Sequence, residues 1–395
     1  MSCSMQIISG ICSVFRREVK SIIHDRLYLA SVVILPIIML LFLVIMFSNG
    51  SIENLPVVVI DNDNSSLSRQ IISMVDATPG VRIARQSQSV ADANDAIHRG
   101  EVYGYIVIPD GFEHGIIGST PTSVNTYISA TNLSAAGVLR RDIQQAVKSF
   151  SSGVAITRLE ASGVNPNQVM AEVMPINIHT HTIANPYMNY GYYLAPIFMI
   201  VGIIVFTVLS TIYAIGRELR YATASQWLSS AYDSLPVALI GKLLPTTIAM
   251  MIAMQLVMFI TFVIMGMECL GSYAIITAAS LLFIIAYQSI AVVIVSITAN
   301  MRLALSLGGG YAVMAFTFSG ITFPTIAMYP IARLLSYLFP LTYFSRVFID
   351  QAMIGMDVCY DVDDMLWLIV FVLPIAMVWR RFSKVVRDNR YWGRD

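Results

Sequence analysis

Histidine, cysteine, serine and acidic side chains are the first candidates for chemistry, and here their spacing builds no reactive centre. His98 and His114 are isolated, and the close pair His179 and His181 lacks the helix or acidic partner of a known metal site. The chain has neither a hydrolase serine elbow nor a Gly-x-x-x-x-Gly-Lys-[Ser/Thr] loop for nucleotide phosphates. The sequence therefore predicts no metal, no bound cofactor and no catalytic residue, and energy for mechanical work must come from another polypeptide.

Aspartate, glutamate, lysine, arginine and histidine are also missing from the six long apolar runs of the chain. Transporters driven by ion gradients usually carry such groups at mid-depth, because a proton or sodium ion needs a ligand there. The most polar residues in these runs are Gln255 and Gln288, for which we favour a hydrogen bond between helices over a substrate contact. A gradient-driven mechanism is disfavoured, although a sodium site built from backbone carbonyls stays open.

The composition of the chain is that of a protein built from apolar elements, and these elements must position any functional residue. Hydrophobic residues make up 56% of the 395 residues and charged residues only 12%, about half the usual share. Such a chain cannot cover a surface that faces water, which indicates a membrane protein. The 24 basic and 24 acidic residues cancel, so no whole-chain field attracts nucleic acid.

Six apolar runs are long enough to cross a bilayer, for which about 20 residues of helix are needed. They cover residues 27–47, 192–215, 243–265, 271–299, 303–321 and 365–379. The last run is short and contains Pro374, so we expect it to recruit neighbouring residues such as Phe382, with basic flanks reaching outward. The predicted fold class is a polytopic helical membrane protein with six transmembrane helices.

Basic residues in the short flanks and loops predict the orientation. They fall in four segments that a six-span chain places on one side: Arg16, Arg17, Lys20 and Arg26; Arg217, Arg220 and Lys242; Arg302; and Arg380, Arg381, Lys384, Arg387, Arg390 and Arg394. Both termini are therefore expected in the cytoplasm, with a basic tail at 383–395. The long insert at 48–191 is expected outside.

The insert alternates strand-like and helix-like segments. Strands are predicted at 55–60, 81–84, 103–108 and 124–129, and helices at 65–75, 89–98, 112–117 and 134–160. This alternation is typical of a small α/β domain.

Two segments on the cytoplasmic side have amphipathic character. Residues 1–26 should form an elbow helix in the membrane surface, since apolar residues recur there at helical spacing among Arg16, Arg17 and Lys20. Residues 216–228 predict a short helix that exposes Trp227 and a leucine to a partner or to the lipid interface. A plain interfacial helix is the alternative for this second segment.

The chain resembles the ABC-2 permease family, the membrane subunits of bacterial ATP-binding-cassette exporters, in the subgroup with a large outside domain after the first span. The order of several motifs carries this resemblance: Phe15-Arg16-Arg17-Glu18, Asp25-Arg26 and Pro36; Pro56 to Asp63 with Leu67-Ser68-Arg69; Gly104 to Pro109; Arg217-Glu218, Leu235-Pro236 and Gly241-Lys242; Ser319 to Pro324; Met328-Tyr329-Pro330; Phe339 to Phe344; and Gly355. The family commonly has Gly-Thr where this chain has Ala222-Thr223.

The resemblance implies three groups of site residues. The coupling helix at 217–230, which would dock into an ATPase, supplies Arg217, Glu218, Leu219, Arg220, Thr223, Trp227 and Leu228. Translocation-pathway candidates in spans two and five are Thr207, Ser210, Ser306, Gly308, Gly309, Gly310 and Thr317, although close helix packing is the better interpretation of the glycines. An outer re-entrant segment at 323–355, interrupted by prolines, carries Pro324, Pro330, Pro340, Thr342 and Tyr343.

The resemblance also implies a function. The chain would pair with itself or a sister permease on a cytoplasmic ATPase dimer that binds ATP and Mg, and would export a hydrophobic or amphipathic substrate across the bacterial inner membrane. A periplasmic adaptor and an outer-membrane channel would be further partners. The alternatives are a membrane-anchored surface receptor or assembly scaffold, and a gradient-driven secondary transporter.

Overall fold

The computed structural model describes residues 3–48, 50, 52–118, 120–161 and 189–393. These residues fall into two compact units. The membrane unit comprises Met1–Gly50 and Thr182–Asp395, and the insert unit comprises Ser51–His181. The predicted histidine pair, His179 and His181, lies outside the described residues.

Within the described residues, six helices are long and apolar enough to cross a membrane, which confirms the predicted number of spans. They are preceded by α1 (Cys3–His24) and comprise α2 (Arg26–Met46), α7 (Tyr190–Arg220), α9 (Leu235–Ile264), α10 (Tyr273–Thr298), α11 (Met301–Phe318) and the stretch Val358–Arg387. The connection between α7 and α9 holds a short helix, α8 (Ala224–Ser229).

The sixth span is longer than the sequence predicts, and it is broken. It consists of α14 (Val362–Val370) and α15 (Leu373–Arg387), with Pro374 at the start of the second piece. Proline is favourable in a first helical turn, where its missing N–H is not needed. The basic second half of α15 stays helical because its apolar residues, among them Phe382, face the protein.

Two polar contacts link the spans at depth, as the sequence predicts for the two glutamines. Gln288 of α10 accepts a hydrogen bond from the Thr247 hydroxyl of α9 at 2.9 Å. Gln255 of α9 bonds to the hydroxyls of Thr277 and Tyr273 on α10. Both side chains therefore join helices.

Prolines start the helices between the fifth and sixth spans rather than only interrupting them. Pro330 begins α12 (Pro330–Ser336) and Pro340 begins α13 (Pro340–Ile349), while Pro324 precedes a single 3-10 turn. Thr342 and Tyr343 are buried in α13 and donate to the carbonyls of residues 336 and 337. The predicted re-entrant segment is thus a pair of short helices whose junction is closed by these two hydroxyls.

The insert unit is an α/β fold with a four-stranded sheet. Its elements are β1 (Leu55–Asp61), α3 (Ser66–Asp76), β2 (Val81–Gln86), α4 (Val90–His98), β3 (Gly104–Ile108), α5 (Phe112–Ile117), β4 (Asn125–Ile128) and α6 (Leu133–Ala161). The strand order is β2-β1-β3-β4, with β1 parallel to both neighbours and β4 antiparallel to β3. Helix α6 packs on one face of the sheet and α4 on the other. The predicted alternation of segments is the order observed.

Two acidic residues at the carboxyl end of β1 hold the loops that follow β1 and β3. Asp61 accepts from the backbone N–H groups of residues 63 and 64 and from the Ser68 hydroxyl at 2.7 Å. Asp63 reaches the first turn of α5, where it accepts from the N–H groups of Phe112 at 2.8 Å and Glu113 at 3.1 Å. Burial raises the pKa of Asp63, but bonds from Ser65 and these backbone groups outweigh it, so the pKa lies below its usual value.

We expect Asp63→Ala to destabilise the insert unit by about 1 kcal/mol, because two N–H groups at the start of α5 lose their acceptor. Since the folded pKa is the lower one, the stabilisation is present above the unfolded pKa of about 3.9 and is lost as pH falls through the folded value. Urea unfolding at pH 7, followed through amide exchange of α5, measures the loss. Asp63→Asn keeps one acceptor and should retain part of the stability; equal losses in both variants would contradict the capping role.

Candidate functional site

One group of charged residues of the membrane unit lies where several helix ends meet. Hydrogen bonds there join α1, the end of α7, the start of α9, the end of α10 and the end of α15. We call this region the basic end, after the residues that make these bonds: Arg17, Arg217, Lys242, Arg381 and Arg387.

Helix α1 lies against the start of α9 because the two backbones approach closely. A Cβ atom on Gly241 of α9 would lie 2.8 Å from the Cβ of Val14 and 3.0 Å from the carbonyl oxygen of Ile11. Only glycine fits this contact. Val14 is fully buried there, while Ile8 and Ile23 on the opposite side of α1 are exposed. The helix thus has one face on the spans and one apolar face left open, as an elbow in the membrane surface requires.

Lys242 is the centre of the basic end. It lies one residue after Gly241, is only 1% exposed, and points toward two carboxylates. Its Nζ lies 2.6 Å from an oxygen of Glu18 on α1 and 2.9 Å from an oxygen of Glu218 on α7. The Tyr28 hydroxyl of α2 donates to the other oxygen of Glu18 at 2.8 Å. A buried ammonium needs such compensation, since removal from water costs several kcal/mol.

Glu218 accepts hydrogen bonds from two further donors besides serving as the counter-ion of Lys242. Arg17 of α1 donates to it at 2.9 Å, and the Thr223 hydroxyl donates to the same oxygen from the loop after α7. We call Arg17, Glu18, Glu218 and Lys242 the buried ion network. Two positive and two negative groups balance, so the cluster is neutral while connecting three helices.

Trp227 closes the buried ion network on the side of α8. Its ring centre lies 5.0 Å from the Lys242 Nζ, within the range of a cation–π interaction. Its Nε1–H donates to the carbonyl of Ala238 at 3.1 Å, so the indole is tied to α9 as well. The ring is fully buried. The indole therefore ties the short helix α8 to α9.

A second ion pair holds α2 to α7 beside the network. One oxygen of Asp25 caps α2 by accepting from two backbone N–H groups, and the other accepts from Tyr213 at 2.7 Å and Arg217 at 3.2 Å. Burial raises the pKa of Asp25, but the bonds from Tyr213, Tyr28 and Leu27 and the charge of Arg217 outweigh it and lower the pKa. Asp25 therefore stays ionised at neutral pH.

The loop around α8 is strained on both sides. Ala222 precedes the helix with φ +55°, and Tyr232 and Asp233 follow it with φ +54° and +59°. Each of these left-handed residues costs roughly 1 kcal/mol, and such strain persists only where the surroundings hold it. Ala222 occupies the position where the family that the sequence resembles commonly has glycine, the residue best suited to this backbone.

The C-terminal segment folds back onto the same region. Arg381 donates at 2.9 Å to the carbonyls of Ser296 and Ile297 at the end of α10. Arg387 donates to the carbonyl of Asp233, and the N–H of Gly393 donates to that of Leu219. Residues 383–393 are thus part of the packed end, where the sequence predicts a basic tail.

The structure corrects the predicted coupling helix. Arg217, Glu218, Leu219 and Arg220 belong to the last turn of α7, and Thr223 precedes α8, so residues 217–230 are two helices and a turn. The prediction that Trp227 and a leucine are exposed is wrong: Trp227, Leu219 and Leu228 are all buried. Their apolar surface is used within the chain. The exposed residues of the loop are instead Tyr221, Ala222, Ser225, Gln226, Ser229, Tyr232 and Asp233.

Sequence reasoning did not single out three members of the buried ion network as site residues: Arg17, Glu18 and Lys242. A signal for Glu18 was present, because it follows Val14 and precedes Ile22 at four-residue spacing on the buried stripe of α1. A carboxylate on an apolar stripe indicates a buried partner. Lys242 stands beside an apolar run, and nothing local distinguishes it from a lysine that reaches the surface.

The pathway candidates divide into buried and exposed residues. Thr207 and Ser210 are buried in α7, and their hydroxyls bond to carbonyls of their own helix, so they face no open path in this chain. A Cβ on Gly308 would lie 2.4 Å from Ile212 of α7, which confirms close packing there. The remaining candidates lie away from α7: a Cβ on Gly309 or Gly310 would meet nothing within 4 Å, and Ser306 and Thr317 are exposed.

We expect Lys242→Met to destabilise the membrane unit by about 3–5 kcal/mol, because it leaves Glu18 buried without its counter-ion. Thermal unfolding in detergent measures the loss. The double variant Glu18→Gln with Lys242→Met should recover part of it, since Glu218 keeps Arg17. Lys20→Met, which removes an exposed lysine from α1, the helix that carries Glu18, is the control and should change stability by less than about 0.5 kcal/mol. Equal effects in the two single variants would contradict the network.

The comparison with known families agrees with this architecture. The family model described as ABC-2 family transporter protein matches residues 26–379, nearly the whole chain. No curated protein matches the chain. The match includes Lys242 and Glu218, the loop with α8, the insert unit and the two short helices before the sixth span. The chain belongs to the ABC-2 family of transporter proteins.

Proposed function

We propose that this chain is the membrane subunit of an ATP-driven exporter that moves a hydrophobic or amphipathic substrate out across the bacterial inner membrane. Family membership supports a permease that works with an ABC ATPase and does not itself hydrolyse ATP. The observation that carries the proposal is the buried ion network, which joins α1, α7 and α9 directly beneath the exposed loop around α8. A force applied to that loop reaches three helices together.

The basic end would face the cytoplasm. Its arginines and lysines are the residues that the positive-inside rule keeps on that side. Both termini would then be cytoplasmic, and the insert unit between the first two spans would lie outside. There it would be accessible to a periplasmic adaptor leading to an outer-membrane channel.

The ATPase would contact the exposed residues of the loop and not the buried ones. Tyr221 and Tyr232 are 62% and 61% exposed and flank α8, with Gln226 between them on the outer side. Tyrosines at the centre of an interface contribute large contact area at low entropic cost. Closure of the ATPase dimer would push α8, and Trp227 and Lys242 would pass the movement to α1, α7 and α9.

We expect Tyr221→Asp to weaken assembly with the ATPase about thirtyfold, equivalent to about 2 kcal/mol, and to lower transport-coupled ATP hydrolysis. Membrane insertion should be unchanged, because the side chain points to solvent. Co-purification from detergent and vanadate-sensitive hydrolysis are the two measurements. Tyr360→Asp, a tyrosine of similar exposure before α14, is the matched control. An unaltered complex in Tyr221→Asp would remove this loop from the docking surface.

A second permease, either another copy or a sister chain, would pack on α11. This helix has the buried face that contacts α7 through Gly308 and an outer face of Ser306, Gly310, Val313 and Thr317 that is open in the single chain. Small residues on an open face let a second helix approach closely. The proposed pathway would follow this interface, where helices of the two permeases separate.

Gly308 and Gly310 of α11 give opposite predictions that test the pairing. Gly310→Leu should leave the single chain folded, since its Cβ meets nothing, but should break the permease pair and abolish transport. Gly308→Leu should destabilise the chain itself by about 3 kcal/mol, because the new side chain collides with Val208 and Ile212. The mass of the protein complex, measured after correction for bound detergent, reports whether the permease pair forms. Thermal unfolding reports the stability of the single chain. A stable pair in Gly310→Leu would place the partner elsewhere.

A further inference from the structure

The sheet of the insert unit ends on an unprotected edge at β4. The N–H of Ser129 donates to the carbonyl of Tyr103 at 2.8 Å, so odd-numbered residues of β4 bond to β3. By antiparallel alternation, the peptide groups of Thr126 and Ile128 point away from the sheet. Among the described residues, none forms a hydrogen bond with them.

The opposite edge of the same sheet, at β2, is protected against pairing with another strand, whereas the β4 edge is not. Strand β2 carries Arg82 and Arg85, and its register with β1 is irregular between Val57 and Val58. Charges and irregular register are the usual devices against unwanted strand pairing. Strand β4 has the sequence Asn-Thr-Tyr-Ile, with no charge and no proline, and a continuous register with β3.

A groove of about 840 Å³ follows this edge and reaches both faces of β4. On one face Tyr127 stacks on Tyr105 at 4.7 Å, next to Ile97 of α4. On the other face Val124 and Ile128 pack with the core under α6. The two helices therefore flank the position that the next strand of the sheet would occupy, at the usual spacing of about 4.8 Å.

The wall formed by α6 is basic. Arg140 and Lys148 are exposed, line the groove and lie eight residues apart on one side of the helix, with Gln144 between them. In the described part of the chain no carboxylate forms an ion pair with either one. Extended side chains alternate between the two faces of a sheet, so every second residue of an added strand would face these cations.

We propose that the β4 edge binds an extended segment of a partner protein by strand addition, with acidic side chains of that segment facing Arg140 and Lys148. Backbone bonds to Thr126 and Ile128 supply affinity, and the basic wall selects charge. The other face of the segment lies against Tyr127 and Ile97. Strand addition here requires nothing of the transport activity, so the two proposals can fail separately.

The test uses the full chain in detergent and a labelled nine-residue peptide in which glutamate alternates with valine. A peptide with lysine in place of glutamate is its counterpart. We expect saturable binding of the glutamate peptide, at least about tenfold weaker binding of the lysine peptide, and slower amide exchange over residues 125–128. Fluorescence anisotropy and hydrogen exchange are the readouts.

Variants separate the backbone and charge contributions. Arg140→Glu with Lys148→Glu should weaken the glutamate peptide about tenfold, as expected when two surface pairs become repulsive. Thr126→Pro removes one outward N–H without breaking a bond to β3 and should abolish the exchange protection. Arg82→Glu, on the β2 edge, is the matched control and should bind normally.

Three outcomes would overturn the proposal. Equal binding of both peptides would remove the charge selection, and no binding at millimolar peptide would remove the site. Slow exchange of Thr126 and Ile128 before any peptide is added would mean that the edge is already occupied. Dependence of that protection on protein concentration would identify a second copy, and independence would identify another part of the chain.

Discussion

A lysine removed from water must be given counter-charges, and this constraint organises the membrane unit of the protein. Lys242 can be buried because Glu18 arrives from α1 and Glu218 from α7, each within 3 Å. Neither carboxylate is near it in sequence, and Glu18 is 224 residues away. The lysine therefore fixes the position of the N-terminal helix against spans that are synthesised much later. Three other residues support the same burial. Gly241 lets α1 approach α9, Tyr28 donates a hydrogen bond to Glu18, and the Trp227 ring covers the ammonium group.

This arrangement also explains why the loop around α8 behaves as part of the bundle. Its largest apolar side chain covers the ammonium group, and its polar residue Thr223 bonds to Glu218. Left-handed residues before and after α8 allow the chain to turn sharply enough to make both contacts. A partner that moves the loop must therefore move helices as well, which is the mechanical property a coupling element needs.

Much of the fold could be predicted because it depends on local patterns. Apolar runs identify the spans, and strand–helix alternation identifies the insert unit from Leu55 to Ala161. The site depended on contacts that no local pattern encodes. An amphipathic pattern shows that Trp227 has an apolar face, but not whether that face meets a partner or the chain's own α9. An alanine likewise gives no sign that residue 222 needs a left-handed backbone. The glycine that the resembled family commonly has at this position is the one indication.

Buried polar groups lie at the two ends of the helix bundle, and this distribution bears on how the helices could be moved. At the end opposite the basic end, Gln351 plays the corresponding role: it accepts from the N–H of Ser272 at 2.7 Å and donates to the carbonyl of Met356 and to the buried Asp361. Each end of the bundle is thus fixed by a buried polar group, while the helices between them meet through apolar contacts and a few neutral hydrogen bonds. Apolar contacts are non-directional, so packed helices can shift by small amounts without breaking a specific bond. In the described spans no aspartate, glutamate, lysine, arginine or histidine lies at mid-depth to be charged or neutralised. The proposed ATP-driven mechanism would instead drive such a shift by a force applied at one end.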